Sequence, residues 1–214
     1  MATETRPEKA ADAARRPFRF TAAQFWRLIE AGVVPDGVDV ELVRGRIYRM
    51  TKHEPHNFAT RRLAKLLRAI LPAGRYVRKE ESMRHGRASV PEPDLAVVPG
   101  SEDEFRPEPP ATSEALLIVE VCASSRTADY RDKYRLYAAA GVPAYWVLDL
   151  EGRKLDVFSA PRGSGPDAGY ASRETFAEGE PAPVVLDGRE VGRIAARDLL
   201  PPIEETVNPR SPTA

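Results

Sequence analysis

Two acids stand where buried strands would not want them. In PEPDLAVV (91–98) the apolar run 95–98 is entered through Pro91, Glu92, Pro93 and Asp94. Proline cannot donate a ladder hydrogen bond and a carboxylate is costly to bury, so this entrance reads as an edge or bulge where regular pairing starts late. In LLIVEV (116–121) Glu120 interrupts a continuous apolar run of the kind buried on both faces of a sheet. A loop without helical pattern joins the two runs, and the simplest pairing is antiparallel. The start of one strand then lies beside the end of the other, and Asp94 and Glu120 face each other at one rim. Adjacent carboxylates repel and lose hydration. They call for a shared proton, a Lys or Arg, or a hard divalent cation; an oxygen-rich pair suits Mg²⁺ or Mn²⁺. Each acid alone has a plainer use: Asp94 as the cap of a bulge, Glu120 in a structural ion pair.

Alternation along a strand puts Glu120 on one face with Ile118 and Cys122. A lone thiol in an apolar strand reads as a small hydrophobe. A thiol hydrolase pairing Cys122 with His56 lacks a readable orienting group or oxyanion feature. A cation must come from elsewhere. In ADYRDKYRLYAAAG (128–141), Lys133, Leu136, Tyr137 and Ala140 fall on one helical stripe. Lys133 either points from that stripe toward the sheet or snorkels from its border into solvent. Lys79 is the reserve cation, or else an exposed strand charge. Glu92 lies two residues from Asp94, but Pro93 between them can turn it away.

The elements that must position these residues follow from periodicity and breakers. A helix is expected over 21–31, with Thr21 and Gln24 as a capping box and Gly32 as its stop. Residues 38–50 read as a hairpin turning at Arg44-Gly45. An amphipathic helix follows over 57–71, apolar through Phe58, Leu63, Leu66, Leu67 and Ile70, basic on its other side, and closed by Pro72. Strands are expected over 75–84 and 89–98, then an acidic, Pro-rich loop over 99–115. The strand 116–121, the helix 128–140 and the strand 144–150 form a βαβ unit with parallel strands and a right-handed crossover. Residues 155–159 pair back through a turn at Glu151-Gly152, and 163–200 read as further short strands. The expected class is α/β: one domain over 18–200, a mixed sheet flanked by helices with extra C-terminal strands, between flexible tails at 1–17 and 201–214.

The bulk numbers fit this. The chain has 214 residues, 42% of them apolar. No run approaches the roughly 18 apolar residues of a membrane span. The charged N-terminus has no apolar core of a secretory signal, and the single Cys122 excludes an internal disulfide framework, so a cytoplasmic protein is expected. Formal charge is zero, with 32 basic and 32 acidic residues. The charge is uneven, however: residues 56–90 hold nine Lys/Arg against two acids. Such a block is either a phosphate footprint or a solvated helix face with an exposed hairpin.

The ordered set of segments resembles the PD-(D/E)XK nuclease superfamily, the restriction-endonuclease-like fold. More narrowly it is similar to the Uma-type "putative restriction endonuclease" family. The matching residues are VELVRGRIY (40–48), Pro55-His56, PEPDLAVV (91–98), LLIVEVCASSRT (116–127) and DKYRLYAAAGVPAYWVLD (132–149). The resemblance spans about 18–160. It implies an Mg²⁺- or Mn²⁺-dependent endonuclease acting on DNA phosphodiesters, working as a homodimer, without a membrane or an organic cofactor. Asp94 matches the acid of "PD" and Glu120 that of "(D/E)XK"; with the carbonyl of Val121 they would hold the metal. Glu41 matches an upstream acid that would bind the ion through water or hold a second one. Lys133 matches a lysine moved from the strand to the following helix, and Cys122 stands at the usual lysine position. His56, Arg61, Arg62, Lys65, Arg68 and Lys79 would contact DNA. The alternative is an inactive DNA-binding or protein-interaction module on the same fold.

Overall fold

The computed structural model describes residues 17–122 and 128–202. The expected tails fall almost wholly outside these residues. Helix α1 (Ala22–Glu30) opens on the expected capping box: Thr21 accepts from the Gln24 N–H while the Gln24 side chain accepts from the Thr21 N–H. Strands β1 (Val40–Val43) and β2 (Arg46–Arg49) form the hairpin, paired antiparallel. Their turn needs positive φ at both Arg44 (49°) and Gly45 (77°). A Cβ on Gly45 would stand 2.8 Å from that of Arg19, so only glycine lets the chain pass there.

Helix α2 (Glu54–Ile70) starts three residues before the expected position, because Pro55 is pre-shaped for the first turn rather than a breaker. A six-stranded sheet follows: β3 (Arg75–Lys79), β4 (Leu95–Pro99), β5 (Leu117–Cys122), β6 (Ala144–Asp149), β7 (Lys154–Arg162) and β8 (Gly169–Ala177), in that spatial order. Helix α3 (Ala128–Ala139) links β5 to β6, which run parallel; the other neighbours are antiparallel. A hairpin of β9 (Pro181–Leu186) and β10 (Arg189–Ala195) is the last strand pair among the described residues. The α/β class, the mixed sheet and the extra C-terminal strands are as expected.

The strands expected over 75–84 and 89–98 are shorter. The first ends at Lys79 because Glu80 adopts φ 53°, outside the strand region, and the second begins only at Leu95, after Pro91 and Pro93. Residues 84–90 meet other segments through single bridges, Arg84 with Ala111 and Val90 with Leu42, and through backbone hydrogen bonds that Arg87 and Ala88 accept from Ala22 and Gly45.

The sheet separates two apolar layers. Leu95, Val97, Leu117, Val119, Val121 and Trp146 face α2, which contributes Leu63 and Leu67. Ala96, Val98, Ile118, Tyr145 and Val147 face α3, which contributes Leu136 and Tyr137. This alternation decides the site: Glu120 shares the face of Ile118, the one α3 covers. Among the described residues, no helix is long and apolar enough to cross a membrane.

Candidate active site

Register brings the two acids together. Leu95 lies opposite Val119 in the β4–β5 ladder, so Asp94, one residue before, falls beside Glu120, one residue after. Both are buried, at 8% and 7% exposure. Asp94 Oδ2 accepts the Val121 N–H at 2.6 Å, which ties the strand entrance to β5 beyond the last ladder pair. Its Oδ1 lies 2.9 Å from His56 Nε2, delivered by the first turn of α2.

Lys133 turns inward. Its Nζ lies 3.1 Å from Glu120 Oε1, 3.2 Å from Glu120 Oε2 and 3.0 Å from Glu41 Oε1, and donates at 3.4 Å to the Glu92 carbonyl. The other oxygen of Glu41 accepts the Glu92 N–H at 3.0 Å. Glu92 thus enters through its backbone, while its carboxylate turns away to Lys52 at 3.4 Å, as Pro93 permits. Tyr137, one turn after Lys133, donates its hydroxyl to Glu120 Oε1 at 2.7 Å.

The electrostatics follow from this burial. Desolvation pushes Glu120 up to about 8; Lys133 opposes that, while Asp94 and Glu41 add to it. Burial alone would lower the Lys133 ammonium, but Glu120, Glu41 and Asp94 outweigh it and hold the lysine charged, its pKa raised. Burial and the Glu120 charge raise Tyr137 well above its ordinary value, so it remains a donor. Burial opposes protonation of His56, yet its hydrogen bond to Asp94 and the charge there outweigh this and raise it. Burial, with Glu120 and Asp94 adding, pushes the Cys122 thiol up to about 12. A nucleophilic thiolate is unfavourable there, and His56 is engaged with Asp94, so neither group favours the thiol-hydrolase alternative.

Glu41, Lys52, His56, Asp94, Glu120 and Lys133 line one cleft of about 320 Å³. His56, Glu80 and Asp94 place ligand atoms within 4.8 Å of one another, the arrangement of a possible metal-binding triad. Sequence reasoning missed three participants. Tyr137 was legible as a stripe residue but not as a donor. Glu80 looked like mid-strand charge. Lys52, whose ammonium lies 3.4 Å from Asp39, 3.7 Å from Glu80 and 3.4 Å from Glu92, carried no signal.

The residues expected to contact DNA divide. His56 is buried against Asp94 rather than presented outward. Lys79 pairs with Glu80 at 2.8 Å and does not line the cleft, so the reserve cation is not the one that reaches Glu120. Arg61, Arg62, Lys65 and Arg68 lie on the exposed face of α2. Three of them hold local partners: Arg61 with Glu54 at 2.7 Å, Arg68 with Glu102 at 3.1 Å, and Arg62 with the Asp198 carbonyl at 3.0 Å.

Comparison with known proteins agrees with this fold. The Uma2 family, described as "Putative restriction endonuclease", matches residues 22–192. A crystal structure of "a putative nuclease belonging to DUF820" from Anabaena variabilis superposes with a TM-score of 0.60 at 14% identity, covering 86% of this chain and 97% of that one. That likeness is one of fold. No curated protein matches the chain. The family match spans most of the sequence, and the chain belongs to the Uma2 family.

Proposed function

We propose that this member of the Uma2 family is a metal-dependent endonuclease that hydrolyses phosphodiester bonds in DNA. One observation carries the reading: Lys133 Nζ reaches Glu120 at 3.1 Å from a helix, although Cys122 occupies the strand position next but one. Acid pair and cation are therefore all present in one cleft.

The donors fit a hard divalent ion. Asp94 and Glu120 offer carboxylate oxygens at facing strand ends, and the Val121 carbonyl adjoins them; Glu41 is close enough to act through water. A bound Mg²⁺ or Mn²⁺ would supply a water of lowered pKa and neutralise charge building on phosphorus. The protein's own groups do the rest. His56 and the Val121 N–H hold the two oxygens of Asp94 in fixed directions. Tyr137 fixes the Glu120 rotamer. Lys133 is the point cation that orients a nucleophilic water or meets developing charge at the phosphate. The exposed basic face of α2 would hold the DNA backbone without reading sequence. Cleavage of both strands would favour a homodimer.

Mg²⁺- or Mn²⁺-dependent nicking of plasmid DNA tests this. Asp94→Ala and Glu120→Ala should each abolish nicking while the circular dichroism spectrum is unchanged; activity retained in either sinks the assignment. Cation binding without cleavage of any nucleic acid would instead favour a DNA-binding module that kept the fold after cysteine replaced the strand lysine.

A further inference from the structure

The backbone of Glu92 joins two members of the site. Its N–H donates to Glu41 Oε2 at 3.0 Å, and its carbonyl accepts from Lys133 Nζ at 3.4 Å. Glu92 belongs to no strand, since β4 begins only at Leu95. The chain is fastened by backbone bonds on either side of it. The Pro91 carbonyl accepts the Met83 N–H at 2.8 Å, and the Asp94 carbonyl accepts the Glu80 N–H at 3.0 Å. Between these two points, among the described residues, Glu92 is held by side chains alone.

Lys52 is the anchor of its carboxylate. Lys52 Nζ lies 3.4 Å from Glu92 Oε1, 3.4 Å from Asp39 and 3.7 Å from Glu80. The three acids do not depend on it equally. Glu80 has Lys79 at 2.8 Å, and the Asp39 side chain is 57% exposed to water. The Glu92 side chain is only 17% exposed, and Asp39 and Glu41 repel it. Among the described residues, Lys52 is the one cation paired with it. Without Lys52 this carboxylate is drawn to Lys133, whose ammonium already lies against the Glu92 carbonyl. A carboxylate turned that way pulls Lys133 from Glu120 and Glu41.

We propose that Lys52 is a positioning residue of the active site: it holds the Glu92 carboxylate away from Lys133 and so keeps the Glu92 backbone in place between Glu41 and Lys133. The effect on cleavage rests on the nuclease reading; the coupling of Lys52 to the Glu92 backbone does not. Lys52 also lines the cleft, so direct contact with a substrate phosphate is the rival role that kinetics must separate.

Amide hydrogen exchange of the metal-free full chain, read by NMR, tests it together with nicking kinetics in Mn²⁺. Lys52→Met should speed exchange of the Glu92 N–H by about 10-fold or more, the equivalent of one anchoring interaction lost. The Val121 N–H, bonded to Asp94, should be unchanged. Glu92→Gln removes the same pair from the other side and should act alike. The double variant should exchange within about twofold of either single one, because both changes break one pair. Lys52→Arg keeps the charge and should keep the protection. In nicking, Lys52→Met should lower kcat by roughly 10–100-fold at constant KM, the loss usual for supporting groups of a metal site. Lys52→Arg should recover most of it. Unaltered Glu92 exchange in Lys52→Met, or effects that multiply in the double variant, overturns the proposal. So does a raised KM at constant kcat, which makes Lys52 a phosphate contact. Coupled exchange in a wild-type protein that cuts no nucleic acid counts against the nuclease reading and leaves Lys52 in its positioning role.

Discussion

Tyr137 donates its hydroxyl at 2.7 Å to the same Glu120 oxygen that Lys133 approaches at 3.1 Å. One stripe of α3 therefore delivers a neutral donor and a cation to one buried carboxylate. Tyr137→Phe keeps the ring and removes only the hydroxyl. A buried acceptor losing a donor costs about 1–3 kcal/mol, so the midpoint of urea denaturation should fall by that equivalent with an unchanged slope. The nicking rate should fall with it, as Glu120 loses its fixed rotamer.

Lys133 is the shared counter-charge of Glu41 and Glu120, at 3.0 and 3.1 Å. Lys133→Met leaves two buried acids facing each other. Breaking a buried pair from one side costs about 3–5 kcal/mol, so metal-free protein should be destabilised on that scale in chemical denaturation. Added Mn²⁺ should restore part of the loss by supplying the missing charge. Destabilisation below about 1 kcal/mol would mean that the lysine is solvated rather than paired.

The pH dependence of stability has a definite sign. The Glu120 pKa stands above its ordinary 4.5, at about 8. The stabilising contribution of its proton is complete below 4.5 and is lost as pH rises through about 8. In a chelating buffer the wild-type protein should lose stability across that window faster than Glu120→Gln. The raised His56 adds a slope of the same sign that persists in the variant. Parallel curves for the two proteins would show that Glu120 is ionised throughout.

Arg61 and Lys65 lie on the open face of α2. If that face holds DNA phosphates, Arg61→Ala and Lys65→Ala should weaken binding equally for unrelated sequences. Each should also reduce the slope of log affinity against log salt by about 0.9. Equilibrium binding at several salt concentrations reads both; an unchanged slope would place the phosphate path elsewhere.

Much of this site was legible along the chain because it depends on short periods. Period two put Glu120 with Ile118, the helical period put Lys133 with Leu136 and Tyr137, and a loop without helical pattern made β4 and β5 antiparallel neighbours in the simplest pairing. These local rules suffice to set Asp94 beside Glu120. They do not say which face of the sheet α3 covers, and on that choice hangs whether Lys133 meets Glu120 or water. Packing decided it: Leu136 and Tyr137 bury against Ile118 and Tyr145, and Lys133 is carried along with them. The same holds for His56, Glu80 and Lys52. No period links a first helical turn, a residue of positive φ and a connecting segment, so nothing in their spacing announces that they meet. Their convergence belongs to the folded chain, where α2 lies across the sheet and sets His56 against Asp94.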